Sequence, residues 1–184
     1  MRFVVLAAMA LVAGCQRIEQ EETAGNLTPG CAARAVHEWS AGEAQLSLEA
    51  NTLGPDCVRA VAMLVVRDSS GAPLYADTHI VEHVMTLASA RDQAAMQTAL
   101  GEWVTPATMM TSTSALPDWP ANADAPQSGE FPFYPEAGYD REAYLALRTN
   151  NLPLLCYVQG MESMACIAFD GDGVAKIGVQ TFPG

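Results

Sequence analysis

Cysteine content constrains the fold of this chain more than any other feature, because a disulfide holds two distant segments side by side. Four of the five cysteines lie beyond the N-terminal region, namely Cys31, Cys57, Cys156 and Cys166. In an exported protein an even number indicates two disulfides, for which three connectivities are possible. A hairpin folded about Met161 places Cys156 opposite Cys166 at a spacing that a disulfide bridges. The predicted pairs are therefore Cys156 with Cys166 and Cys31 with Cys57.

The N-terminus has the organisation of a secretory signal. Arg2 is the only charged residue among the first fourteen, and it precedes an apolar run from residue 3 to residue 13. A run of this length is too short to span a hydrocarbon core of about 30 Å. The residues Val12-Ala13-Gly14-Cys15 resemble the lipobox of bacterial lipoproteins, although leucine is more usual at the position of Val12.

The resemblance implies three regions in the chain. In the lipoprotein family the signal peptide, here residues 1–14, is removed, and the cysteine receives a diacylglycerol and an amide-linked fatty acid such as palmitate. Cys15 would thus begin the mature protein, and residues 15–30 are predicted to be a flexible tether, because they are polar and contain glycine and proline. Residues 31–184 are predicted to form a single domain. Gln16 favours the outer membrane and a periplasm-facing domain, with retention in the inner membrane as the open alternative.

The net charge limits the possible partners. Without Arg2 the mature chain has eight basic and twenty-one acidic residues, which gives a net charge of −13. Such a surface repels phosphate backbones, so nucleic-acid binding is not expected. A cationic protein or peptide partner is compatible with this charge, and the simpler interpretation is that the charge keeps the protein soluble.

Strand patterns lie towards both ends of the domain. Residues 45–50 alternate polar and apolar, residues 57–66 form an apolar β-branched run, and residues 68–71 form a turn into a strand over 73–76. A C-terminal meander is predicted, with strands over 154–159, 164–169 and 175–182. The last two strands are joined by a turn at residues 170–173.

Two helices are predicted in the middle of the chain. The first is capped by Ser89, with Asp92 in a capping box, and ends at Pro106; its buried face comprises Met96, Ala99, Leu100 and Trp103. The second is short, runs over residues 141–148 after an Asp140 cap, and turns Tyr144 and Leu147 inward. We therefore predict an α+β fold with a largely antiparallel sheet, one clear and one short helix, a long proline-rich loop and two disulfides.

His79, Glu82 and His83 form an H-x-x-E-H pattern, which resembles the motif of the inverted zinc peptidases. In that family both histidines bind zinc, the glutamate activates water, and a downstream glutamate, for which Glu142 and Glu162 are in range, completes the site. The motif requires a helix, because positions four apart lie at about 6 Å on a helix and about 13 Å on a strand. The β-branched residues around it favour extended structure. We therefore expect two polar histidines on the exposed face of a strand and no metal, with zinc binding by these three residues as the alternative.

The proline-rich segment from residue 105 to residue 139 contains six of the eleven prolines and has no sustained periodicity. Long ordered loops of this kind are often functional, and aromatic residues held by prolines make contact surfaces of low conformational entropy. The candidate binding residues are Trp119, Phe131, Phe133 and Tyr134. The competing interpretation is that these rings, together with Tyr139, fold back to cover the core.

The predicted function is a lipid-anchored envelope protein that acts as a binding, inhibitory or structural module and needs no cofactor. Its predicted contacts are the membrane, through the N-terminal lipid, and a protein or peptide partner. Enzymatic activity is not favoured. The alternative is a zinc-dependent peptidase built on residues 79–83.

Overall fold

The computed structural model describes residues 30–105, 111–127 and 130–182. Apart from Gly30, these residues belong to the region predicted to be a single domain. The predicted signal peptide, Cys15, the predicted tether up to residue 29 and Pro106 lie outside the described residues.

The first sheet is an antiparallel meander of four strands in chain order, β1 (Arg34–Ala41), β2 (Ala44–Leu53), β3 (Val61–Arg67) and β4 (Pro73–Ile80). The strand predicted over 45–50 and the hairpin across the turn at 68–71 are confirmed. β1 was not predicted. The strand predicted over 57–66 begins only at Val61, because the preceding residues form a turn that contains Cys57.

The second sheet also has four antiparallel strands, but their order is β5-β8-β7-β6. They are β5 (Phe133–Pro135), β6 (Leu154–Val158), β7 (Ser163–Phe169) and β8 (Val174–Thr181). The predicted C-terminal meander is confirmed, and β5 is a short additional edge strand. The Asp170 carboxylate accepts hydrogen bonds from the backbone N–H groups of Asp172 and Gly173, and these bonds stabilise the turn between β7 and β8.

The described residues include two α-helices, one between the two sheets in the chain and one between strands β5 and β6 of the second sheet. α1 (Gln93–Trp103) buries the four residues predicted for its inner face, Met96, Ala99, Leu100 and Trp103. Its N-cap is Asp92, whose carboxylate accepts from the N–H of Ala95 at 2.8 Å. The predicted Ser89 cap is therefore wrong, because the helix begins three residues after the predicted capping box would place it.

α2 (Arg141–Asn150) agrees with its prediction. Asp140 caps it by accepting from the N–H of Ala143 at 2.8 Å, and Tyr144 and Leu147 are its buried residues. Asn151 ends the helix in the left-handed conformation, with a φ of 51°. Asparagine tolerates this conformation better than most residues, which explains why the helix stops here.

Both predicted disulfides are present, and the two Cα atoms are 4.9 Å apart in the Cys31–Cys57 pair and 4.0 Å apart in the Cys156–Cys166 pair. Cys156 and Cys166 are directly paired across β6 and β7, as the hairpin about Met161 requires. The buried residues of both sheets and both helices form one hydrophobic cluster. The described residues thus form an α+β fold with two antiparallel sheets, two α-helices and two disulfides.

Candidate functional site

A partly buried polar cluster lies where the edge strand β4 meets the second sheet. The strand alternation turns Tyr75, Asp77 and His79 to the inner face of the first sheet, where their cross-strand partners on β3 are apolar. The hydroxyl of Tyr157 on β6 donates to Oδ2 of Asp77 at 2.6 Å. The hydroxyl of Tyr75 lies 3.0 Å from that of Tyr157 and 3.4 Å from the same carboxylate oxygen. One carboxylate therefore joins two phenols that belong to different sheets.

His79 completes this cluster from the end of β4. Its ring contacts Trp103 edge-on at 5.7 Å between centroids and Tyr157 at 6.0 Å, and its side chain is only 12% exposed. Nε2 lies 3.2 Å from Oδ2 of Asp77, but its N–H does not point at that oxygen, and among the described residues Nε2 has no hydrogen-bond partner. The imidazole thus lies beside the carboxylate at ion-pair distance without a well-aligned hydrogen bond. The prediction of an exposed His79 is wrong, because the residue faces the core.

The pKa values of the carboxylate and of the two phenols in this cluster are shifted from their ordinary values. Burial alone would raise the pKa of Asp77, but the contacts from His79 and from the Tyr157 hydroxyl outweigh it and hold that pKa below its ordinary value. Burial raises the pKa of Tyr157 and raises that of Tyr75 to about 12. A general acid or base works best with a pKa near the operating pH. Since these three pKa values move away from neutrality, Asp77 stays ionised and the two phenols stay neutral near neutral pH, which suits their hydrogen bonds to holding the two sheets together.

The remaining residues of the H-x-x-E-H pattern lie apart from His79. The strand ends at Ile80, and residues 81–83 form a single 3-10 turn instead of an α-helix. The side chains of Glu82 and His83 are 57% and 67% exposed, whereas that of His79 is in the interior. The structure thus does not bring the two histidines onto one face. Among the described residues no group of three or more histidine, cysteine, aspartate or glutamate side chains is arranged to hold a metal ion.

The predicted aromatic binding residues divide into two kinds. Trp119 packs edge-on against Tyr144 at 5.5 Å, and the buried Phe133 packs against the same ring at 6.2 Å. Phe131 is 40% exposed and contacts Phe182, and Tyr134 is 54% exposed. Two of the four candidates therefore cover the core, as the competing interpretation expected, and the structure does not gather the four into one surface.

A different exposed surface lies on the outer face of the first sheet. Leu53, Val61 and Ile80 are adjacent across three strands, and Met63 occupies the next outward position on β3. These four residues, which we call the apolar patch, are between 41% and 63% exposed. Leu53, Val61 and Met63 border a concavity of about 210 Å³, which is also lined by Asn51, Thr52 and Thr78. The sequence contains a signal for the patch, because residues 61–66 of β3 are all apolar. Apolar side chains therefore lie on the outward face of this strand as well as on the inward face.

No family model matches the sequence, and neither a curated protein nor a solved structure matches it. In the described part of the chain, none of the helices is both long enough and apolar enough to cross a bilayer.

Proposed function

We propose that this protein is a lipid-anchored envelope protein whose folded part acts as a binding or structural module. The proposed anchor is Cys15, at the end of the lipobox-like sequence Val12-Ala13-Gly14-Cys15. The two disulfides agree with an oxidising compartment outside the cytoplasm. These two features support the location, and neither depends on the other.

The observation that carries the proposed binding role is the apolar patch. Soluble proteins expose single apolar residues freely, but a contiguous group is typical of an interaction surface. Here the group includes Leu53 at 63% exposure and lies in a chain whose charge is strongly acidic. In such a chain, a cluster of exposed aliphatic side chains without charged residues among them indicates a surface that is covered by a binding partner when the protein functions.

The peptidase alternative receives no comparable support. Its two histidines differ in environment, since His79 contacts Trp103 in the core while His83 is 67% exposed. A zinc peptidase needs both rings on one side of a helix with an open coordination position between them. We therefore do not advance a catalytic function.

Metabolic labelling with a radioactive fatty acid tests the proposed function. The full chain, expressed in a bacterium that processes lipoproteins, should incorporate the label and fractionate with membranes. Cys15→Ser should remain unlabelled and unprocessed or mislocalised, whereas the neighbouring variant Gln16→Ser should be labelled like the wild type. Normal labelling of Cys15→Ser would contradict the proposal.

A further inference from the structure

We propose that the apolar patch docks onto the lipid surface of the membrane to which the chain is anchored. This inference rests on the proposed function, because it takes Cys15 to be the lipid attachment point. It goes beyond that function by naming the occupant of the patch as the interfacial region of a bilayer. Its support comes from the position of the patch, its borders, its charges and the length of the connecting chain.

The patch lies beside the point where the chain enters the fold. Cys31 is paired with Gly54 through two backbone hydrogen bonds of 3.1 and 3.2 Å, and Gly54 directly follows Leu53, the most exposed residue of the patch. The disulfide to Cys57 holds the same point. A chain that comes from the membrane therefore reaches the fold at the edge of its most apolar exposed surface.

Further exposed apolar side chains lie at this end of the molecule. The N–H of Val81 donates to the carbonyl of Ala60 at 3.0 Å, which keeps the segment after β4 close to the start of β3. Four residues later, the N–H of Met85 donates to the carbonyl of Gly160 at 3.3 Å. Met85 and Met161 are 51% and 54% exposed, so two flexible apolar side chains adjoin the end of the sheet that carries the patch.

The charges around the patch are largely compensated. Arg59 donates to the Asp56 carboxylate at 2.7 Å in the turn before β3. On the outer face of the sheet, Glu49 accepts from Arg34 at 3.1 Å and from Arg67 at 2.8 Å. Since these two carboxylates are paired with arginines, bringing them near a zwitterionic headgroup layer costs less than bringing isolated carboxylates there. The acidic remainder of the protein would oppose approach to an anionic bilayer.

The short connection to the anchor would strengthen an otherwise weak interaction between the patch and lipid. Even fully extended, the segment from Cys15 to Cys31 spans at most roughly 55 Å, because each residue adds about 3.3–3.6 Å. The fold is thus confined near the bilayer, and the local concentration of lipid surface is high. A few partly exposed aliphatic residues would bind a membrane only weakly from solution, but anchoring turns this into an intramolecular contact.

Depth-dependent quenching tests the docking. Leu53→Trp and Ile80→Trp place a fluorescent reporter in the patch, and Tyr134→Trp places one at a comparably exposed position on the second sheet. The lipidated proteins are reconstituted into vesicles of phosphatidylcholine, with or without bromine on the acyl chains near the interface. The wild type is measured in parallel so that the emission of its own tryptophans can be subtracted. We expect the added emission to be quenched by brominated lipid at positions 53 and 80 and unchanged at position 134.

The outcomes separate the docking from the anchor. Labelled fatty acid on Cys15 without quenching in the patch would overturn the docking and leave the proposed function standing. Equal quenching at all three positions would also overturn it, because the contact would have no preferred face. A third outcome would be that brominated lipid does not quench the reporters at positions 53 and 80, but their emission changes with the protein-to-lipid ratio. The patch would then be covered by a second copy of the chain, which would overturn the docking. Absence of the fatty acid would overturn the proposed function and the docking together.

Discussion

The hydroxyl of Tyr157 on β6 lies 2.6 Å from Oδ2 of Asp77 on β4, so a charged hydrogen bond joins the two sheets inside the protein. The two residues are 80 positions apart in the chain. Tyr157 is almost completely buried, and its ring also contacts Trp103 of α1 at 6.1 Å. This bond therefore fixes the relative position of elements that hydrophobic packing alone would hold less specifically.

Removing this hydroxyl should destabilise the fold. We expect Tyr157→Phe to lower the free energy of unfolding by about 1.5 kcal/mol, at the lower end for a bond to a charged group. The lower end applies because the Asp77 side chain is 28% exposed and can recruit water. Urea denaturation measures the change, and Tyr134→Phe, which alters an exposed phenol, should have almost no effect. Equal midpoints for the two variants would contradict the importance of the bond.

Acid should weaken the outer face of the first sheet. Hydrogen bonds from Asn51, Arg67 and Arg34 hold the pKa of Glu49 at about 2, against an ordinary value of 4.5. A carboxylate with a depressed folded pKa contributes its full stabilisation above the unfolded pKa and loses it as the pH falls through the folded pKa. The stability of the wild type should therefore decline as the pH falls from 4.5 towards 2.

Two variants separate the contribution of the Glu49 carboxylate from that of the other acidic residues. Glu49→Gln should show a flatter dependence of unfolding free energy on pH over this range, because one ionised acceptor has been removed. Glu43→Gln, in the exposed turn between β1 and β2, should follow the wild type. Denaturant midpoints measured at several pH values give the comparison. Parallel curves for wild type and Glu49→Gln would show that the predicted contribution is absent.

The two histidines of the H-x-x-E-H pattern should differ in their effect on stability. His79→Ala removes a ring packed between Trp103 and Tyr157, and we expect a loss of roughly 2 kcal/mol, as for other buried truncations. His83→Ala alters an exposed side chain and should stay within about 0.5 kcal/mol of the wild type. Thermal unfolding with and without zinc checks both statements. A zinc-dependent rise in the melting temperature that both variants lose would instead revive the peptidase hypothesis.

Loss of the Cys31–Cys57 disulfide should be costly. The bond closes a loop with a sequence separation of 26, for which the chain-entropy model gives about 3.5 kcal/mol. Cys31→Ala combined with Cys57→Ala should lower the unfolding free energy by about this amount. Peptide mapping of the non-reduced wild type should recover Cys31 with Cys57 and Cys156 with Cys166. A crossed pair such as Cys57 with Cys156 would contradict this fold.

The sequence predicted best those elements whose beginning is determined by residues adjacent in the chain. The α2 cap at Asp140 is determined by adjacent residues and was predicted, and the helix runs two residues beyond its predicted end at residue 148. The Ser89 cap was wrong because Asp92, also a good cap, lies closer to the apolar face of α1. β1 escaped prediction because two of its four inward residues, Ala35 and His37, give a weak apolar alternation. It is a strand because β2 pairs with it along its whole length.

The polar cluster could not be predicted from one segment. The order Tyr75, Asp77, His79 indicates one face of a strand, but which face is buried depends on the neighbouring elements. Tyr157 lies in a strand that is buried throughout, so its sequence gives no hint of a polar partner. Only the packing of β6 beside β4 brings the phenol to the carboxylate. The same limit applied to the aromatic residues of the proline-rich segment, which the fold divides between core and surface.

The Cys31–Cys57 disulfide determines how the molecule would respond to mechanical load. Both β1 and β2 lie within the closed loop, between the two bonded cysteines. A pull on the N-terminus would pass through the sulfur atoms to Cys57 and on towards β3, and it could not unravel the first two strands one at a time. If the chain is held at the membrane by its N-terminus, shear on the envelope would load β3 and leave the hairpin of β1 and β2 unstretched.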